Sequence, residues 1–556
     1  MLIRQSFDQR FINRLKEIEA RYGTEMLEID GIGSDSLDIN KFTHNFFNNS
    51  VAADFTSDPN ANVDDQSVVV FENEFGKSNY RLNAYYSLWE KMVNNPNFGI
   101  KRANKAIEMC IRGTLKIHDQ HHWFKPYCYA FSVNTIVSDG LTYIKKVKIT
   151  RPKHVFSYIN QVIQFMAYAS NQIAGAVAFP DFFVYLDWFC RQDFGDDYLE
   201  NETTRKILEE HIQSFVFSTN YPYRSTQASI FDKYFLEDLF SNVTFPDVSK
   251  PKLDSVMKLQ EFYARWFIEE SKRQTFTFPV NTACFYVKDG KIQDENFLTL
   301  ISELNAYNGT FNIYTGELGK LSSCCRLLND SKVISYTNSF GSGGVSIGSH
   351  RVVTLNLPQI AFESENNDDF LKRVEYAVVM AQDILQIHRE LLTELINKNK
   401  LPLYTNKYMF LNKQFSTIGF IGINEAIEIL GMKISENPGK EFAINILNKI
   451  NELNSIRAKN SNAIWNIEQI PGETAAFNLA KKDKILFKNH KYEIYSNQYI
   501  PLWENVDLEK RIVIAGTFDK LCGGGSITHI TTSDSLIPEQ MRKIIEFAAA
   551  NGVIYF

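Results

Sequence analysis

From Tyr80 to Phe556, aromatic and apolar residues recur with no Pro-, Gly- or Ser-rich linker between them. That continuity most constrains the fold, because a chain without hinges buries its apolar residues in one large domain rather than a string of small ones. Inside it, helical spacings alternate with short runs of β-formers. Phe370, Val374, Val378, Ala381, Leu385, His388, Leu392 and Leu395 recur every three or four residues, which predicts a helix over Asp368–Asn397 with one buried stripe. Arg351–Leu357, Thr417–Ile423 and Arg511–Ile514 read as buried strands. Strands alternating with helices predict an α/β fold with largely parallel pairing. Residues 1–80 are more polar, broken by GIGSDS and SDPNANVDD, with one amphipathic helix over Gln9–Arg21.

Composition excludes several classes. With 44% hydrophobic and 22% charged residues among 556, the chain is neither disordered nor fibrous. Lys+Arg minus Asp+Glu is 59 − 65 = −6, so no global charge draws it to nucleic acid or an anionic membrane. The best membrane candidate, Val177 to Cys190, is short and carries Asp181 and Asp187. The start, MLIRQSFDQRF, lacks the apolar stretch of a signal peptide, and the protein is read as cytoplasmic.

Seven cysteines without a CxxC make neither a disulfide framework nor a zinc ribbon. Cys324 and Cys325 are adjacent, and neighbouring Cα atoms about 3.8 Å apart fall short of the roughly 4.4 Å a relaxed disulfide needs. They read either as small buried hydrophobes or as a reactive thiol on a turn. His118, Asp119, His121 and His122 read as packing, and no metal site is expected here. Near the end, Ser535 reads as a cap and Pro538 as a first helical turn, with Asn551-Gly552 as the stop. Val553–Phe556 then looks like the start of a buried strand, with more structure expected to follow it, covalently attached or not.

The motifs gain meaning as an ordered set: SDPNANV (57–63), LKIHDQHHW (115–123), KPYCYAF (125–131), FTFPVN (276–281), SSCCRL (322–327), VVTLNLP (352–358), STIGFIGINEA (416–426), IPGETAAF (470–477) and CGGGSITHI (522–530). In that order they resemble the catalytic subunit of anaerobic (class III) ribonucleoside-triphosphate reductases, a glycyl-radical family. The resemblance implies a ten-stranded α/β barrel with a central finger loop, over 81–556, behind a helical N-terminal segment, 1–80, too short for the family's ATP-cone. It implies Cys325 as the transient thiyl radical that takes a ribose C3′ hydrogen, and Cys128 as the barrel cysteine that supplies electrons. Asn356, Gly472, Thr474, Gly524 and Cys324 are the implied substrate-binding residues. Thr474 also reads as an N-cap and Asn356 as a buried side chain satisfied by backbone.

The family's two CxxC pairs for zinc and its Arg-x-x-Gly-Tyr glycyl-radical loop are not in this sequence. The glycyl radical and zinc are therefore expected on a missing C-terminal segment, truncated or a separate subunit. Ser349 stands where formate-using members carry Asn, so a thioredoxin- or glutaredoxin-like reductant is expected instead. A radical-SAM activase, nucleoside triphosphate substrate and effectors, and a homodimer complete the implied partners. Another glycyl-radical enzyme or a catalytically silent nucleotide-binding subunit are the alternatives.

Overall fold

The protein is described by a computed structural model covering residues 7–48, 68–144, 147–221, 224–318, 320–323, 327–330, 346–532 and 535–556. Its strands, in chain order, are β1 (Leu115–Ile117), β2 (Cys128–Ala130), β3 (Leu141–Ile144), β4 (Val147–Ile149), β5 (Val177–Ala178), β6 (Thr226–Phe231) and β7 (Val280–Lys288). They continue with β8 (Lys291–Ile292), β9 (Asn312–Gly316), β10 (Lys320–Ser323), β11 (Leu327–Asp330), β12 (Ile347–Asn356), β13 (Gln414–Ile421) and β14 (Ile464–Gln469). Ten of them belong to one sheet, and helices separate most of them, giving the mixed α/β architecture expected.

The chain folds into two compact units. The first comprises residues up to Pro126, His350–Leu395 and Phe415–Glu504. In it β13 and β14 run parallel, Ile418 opposite Ile467, while β1 lies antiparallel to β12, Leu115 opposite Leu355. Every residue of β12 and β13 is buried, so these strands read as continuous runs without polar–apolar alternation. The helix Asn367–Asn397 buries Phe370, Val374, Val378, Ala381, Leu385, His388 and Leu392, with Leu395 half-buried as its last turn reaches solvent. The helix Val68–Asn94 runs through position 80, where the N-terminal segment was expected to end.

The second unit comprises Tyr127–Ser349, Ile396–Gln414 and the residues from Asn505 on. Here β2, β5, β6, β7 and β9 run parallel in that order. The first residues of β12 and the short β8 are antiparallel additions to this largely parallel set. The tail is extended and half in the core but forms an isolated bridge, Tyr314 to Tyr555, and not a strand: Val553 and Tyr555 are buried, and Phe556 exchanges backbone bonds with Ile313 of β9 at 2.7 and 3.0 Å.

Two local expectations fail. Arg511–Ile514 lies inside the helix Leu508–Asp519, where Ile512, Ile514, Ala515 and Phe518 are all buried. Burial on more than one face gave this helix an uninterrupted apolar run, which periodicity cannot tell from a strand. Ser535 caps nothing: the helix Pro538–Asn551 starts after Ile537, whose N–H donates to Gln540 Oε1 at 3.0 Å.

Candidate functional site

Cys128 opens β2 in the second unit and is buried in a cluster of small residues, Ala130, Ala176 and Ala178, with Tyr127 against it. Its sulfur accepts the Ala176 N–H at 3.3 Å. Two glycines make room for it. A Cβ on Gly175 would stand 2.4 Å from Cys128 Sγ, and one on Gly348 would stand 2.0 Å from Cys128 O. Across the antiparallel ladder Cys128 faces Ser349, its register partner. A thiol so placed is held in one position and kept from bulk water.

After β9 the chain turns into the antiparallel hairpin β10–β11, with Ser323 opposite Leu327. The residues between them, 324–326, include Cys324 and Cys325 and lie outside the described residues, as does SDPNANV. Gly524 is buried in the tight turn Cys522–Gly525, closed by Gly525 N–H to Cys522 O at 2.8 Å, with Gly525 at φ +98°. Asp519 braces that loop, bonding Ser526 Oγ and accepting the Ile554 N–H at 2.9 Å.

The remaining candidates lie in the first unit. Gly472, at φ +95°, is the N-cap of the helix Glu473–Leu486, a conformation that an L side chain adopts only with strain. Thr474 is thus the second residue of the helix and not its cap. The first intrahelical bond is Ala476 N–H to Gly472 O at 3.0 Å, so the amides of Glu473, Thr474 and Ala475 precede it. Amides in that position, with the helix dipole behind them, favour a phosphate or carboxylate. The segment after Tyr495 braces the turn: Asn497 Nδ2 bonds Pro471 O, and Tyr495 N–H donates to Ala476 O at 3.2 Å.

Asn356 ends β12 and starts the helix Leu357–Phe362, accepting the Gln359 N–H at 3.3 Å. Its Nδ2 donates to Asp483 Oδ2 at 2.9 Å, so a carboxylate, more than backbone, satisfies this buried side chain. Asp483 also accepts Tyr495 Oη at 2.6 Å and Gln359 Nε2 at 2.5 Å. Burial nevertheless dominates and pushes its pKa up to about 7, with those three donors pulling the other way.

A second buried polar group was not singled out from sequence. Arg351, fully buried, donates through Nη1 to the carbonyls of His118 and Asp119 at 3.0 and 3.1 Å, and through Nη2 to those of His122 and Lys125 at 2.8 and 2.5 Å. Beside it, His350 Nδ1 and His388 Nδ1 are 2.9 Å apart, His350 Nε2 meets Ser416 Oγ at 2.8 Å, and His388 Nε2 meets Trp123 O at 2.9 Å. Burial drives both histidines far below their ordinary pKa. The donation to Trp123 O fixes His388 with Nδ1 as acceptor and His350 Nδ1 as donor. His118 bonds Thr354 Oγ1 at 2.8 Å and is pushed down to about 3 by burial. The available sign was three consecutive polar residues, Ser349-His350-Arg351, inside an apolar strand pattern. Among the described residues, no group of three or more His, Cys, Asp or Glu is arranged to hold a metal.

The comparisons with known proteins agree with one another. The family model described as anaerobic ribonucleoside-triphosphate reductase matches residues 84–556. No curated protein matches by sequence search. Among solved structures, an anaerobic ribonucleotide reductase is 34% identical with a TM-score of 0.89, over 100% of this chain and 88% of that one. The Thermotoga maritima enzyme with citrate in the active site is 33% identical with a TM-score of 0.87, over 100% and 99% of the two chains. The same enzyme in complex with dATP and CTP gives 33% and 0.88, over 100% and 91%. A model matched over most of the sequence, and a shared fold at a third identity, leave one conclusion: this chain belongs to the anaerobic ribonucleoside-triphosphate reductase family.

Proposed function

We propose that this chain reduces ribonucleoside triphosphates with Cys325 as the residue that abstracts hydrogen from the ribose and Cys128 as a reducing thiol. The observation that carries the reading is the bed of Cys128: a buried sulfur in a short strand, with alanines on its flanks, a bare glycine (Gly175) where a side chain would displace the sulfur, and another (Gly348) where one would strike the Cys128 carbonyl. Replacing the 2′ hydroxyl by hydrogen releases water and takes two electrons and two protons. Two thiols supply that pair by becoming a disulfide, and Cys128 is one of them. Opposite it stands Ser349, which agrees with a thioredoxin- or glutaredoxin-like dithiol as the reductant that restores the thiols. The family's glycyl radical, when present, would take the Cys325 hydrogen and be restored when that hydrogen returns, adding no net electrons. The residues here suit radical chemistry in that Cys128 is fixed in a dry bed, where a thiol gives up hydrogen without leaving a buried charge.

In this reading the triphosphate rests on the amides that open the helix at Gly472 and Thr474, and Gly524 gives a second close backbone approach. Asn356 contributes through the strand-to-helix turn it caps, and Cys324 is the neighbour of the radical site. A radical-SAM activase, nucleoside triphosphate effectors, a second copy of the chain and a cytoplasmic setting belong to the same proposal, as does zinc on the segment that bears the radical. Among the described residues no helix is long and apolar enough to cross a membrane.

The test supplies the chain with a glycyl-radical peptide and activase under anoxia and follows deoxynucleotide formation. Cys325→Ser and Cys128→Ser are each expected to abolish turnover while nucleotides still raise the melting temperature. Turnover retained in either variant removes that cysteine from the mechanism. Nucleotide stabilisation without turnover in the unsubstituted chain would favour a silent nucleotide-binding subunit.

A further inference from the structure

Within the first unit a cavity of about 530 Å³ opens between the helix Gly99–Arg112 and the helices Leu357–Phe362 and Asn367–Asn397. Its volume falls in the range of small-molecule sites. Four cations line it, Lys105, Arg112, Lys372 and Arg373, against one acid, Glu363. The lining thus carries 4 − 1 = +3 on a chain whose net charge is −6.

Three of the four cations have acid partners that they share with other groups. Glu363 pairs with Arg112 and, at 3.8 Å, with Arg373, which also holds Asp369 at 2.8 Å. Glu108 takes Arg14 at 2.8 Å, Arg21 at 3.2 Å, Tyr22 Oη at 2.8 Å and, more loosely, Lys105 at 3.6 Å. Arg112 keeps a buried Nε with no hydrogen-bond partner, and Lys372 is exposed. The floor is apolar, from the buried Met109 and Ile360, and Tyr376, 46% exposed, presents a ring at the rim.

We propose that this cavity binds a phosphate-bearing anion of about nucleotide size, with the phosphates on the four cations and any ring of the ligand against Tyr376. Spread cations on two helices match a chain of phosphates better than a single carboxylate, and the aromatic rim with its apolar floor gives a planar group somewhere to rest. None of its lining residues is among those assigned to the reaction, so this is a second site.

The chain is titrated calorimetrically with inorganic tripolyphosphate and, separately, with ATP at fixed ionic strength. The variants are Lys372→Ala and the double charge reversal Lys105→Glu/Lys372→Glu. One binding event is expected to weaken about threefold in the first and at least about tenfold in the second, with the other events unchanged. Equal weakening for both ligands supports a site that reads phosphate alone. A preference for ATP that disappears in Tyr376→Ala supports a nucleotide. Superimposable isotherms for Lys372→Ala, an exposed position that folding tolerates, and for the double variant would overturn the proposal.

Discussion

Gly175→Ala probes the bed of Cys128 with a single methyl group. The backbone at Gly175 lies outside the left-handed region, so alanine adds no torsional strain and any effect is steric. The new Cβ would stand 2.4 Å from Cys128 Sγ and 3.4 Å from Tyr127 O. Non-bonded atoms settle at roughly 3.5–4.0 Å, so the sulfur has to retreat by about an ångström. It has little room, since Ala130, Ala176 and Ala178 are each no more than 5% exposed. Overpacking of this kind costs about 1–3 kcal/mol, and a reacting group displaced by about 1 Å loses on the order of a hundredfold in rate. The assay pairs anaerobic deoxynucleotide formation with urea unfolding, and repeats the unfolding in a Cys128→Ala background. Removing the sulfur removes the overlap, so most of the stability cost of Gly175→Ala is expected to vanish there. Equal costs in the two backgrounds would refute the steric account, and wild-type turnover in Gly175→Ala would show that the position of Cys128 does not govern the reaction.

Two further outcomes follow from buried polar groups. Asp483 titrates near 7 in the folded chain against an ordinary 3.8, so the folded state holds the proton more tightly. The stabilisation from that proton is complete below about pH 4 and is lost as pH rises through about 7, up to about 4 kcal/mol. Asp483→Asn should flatten this component, which denaturant midpoints between pH 4 and 8 will show; parallel profiles for the two proteins would contradict it. Arg351→Met deprives the four carbonyls of the 118–125 segment of their common donor. Hydrogen bonds to a charged donor contribute about 1.5–3 kcal/mol each, so a loss of at least about 3 kcal/mol in urea unfolding is expected, and one under about 1 would contradict the role given to Arg351.

What the sequence revealed depended on how local the cause was. The helix at Asn367–Asn397 was legible because one face is buried and its period shows. The strands β12 and β13 were legible as short apolar runs, but Arg511–Ile514 has the same signature and is helical, because burial on several faces erases the period. Gly472 was legible as a turn, whereas the capping role read into Thr474 moved two residues back once Gly472 took φ +95°. Asp483 gave no sign at all. It lies in AKKDKIL, which reads as a solvated helix face, and its partners Asn356, Gln359 and Tyr495 arrive from other segments. Tertiary burial, not local pattern, decides such a residue.

The polar residues of β12 show how a buried strand acquires a unique register. A strand of only valine and leucine slides by two residues at little cost, because the same faces stay buried. Here each polar side chain has one address: His350 on Ser416 and His388, Arg351 on the 118–125 carbonyls, Thr354 on His118 and Asn356 on Asp483. A slip would leave these groups buried without partners, at about 1–3 kcal/mol for each and more for the guanidinium. Within the second unit the first residues of the same strand pair with β2: a Cβ on Gly348 would stand 2.0 Å from Cys128 O, and Ser349 is the register partner of Cys128. Fixing the register gives the burial of these polar groups a reason that stability alone would not.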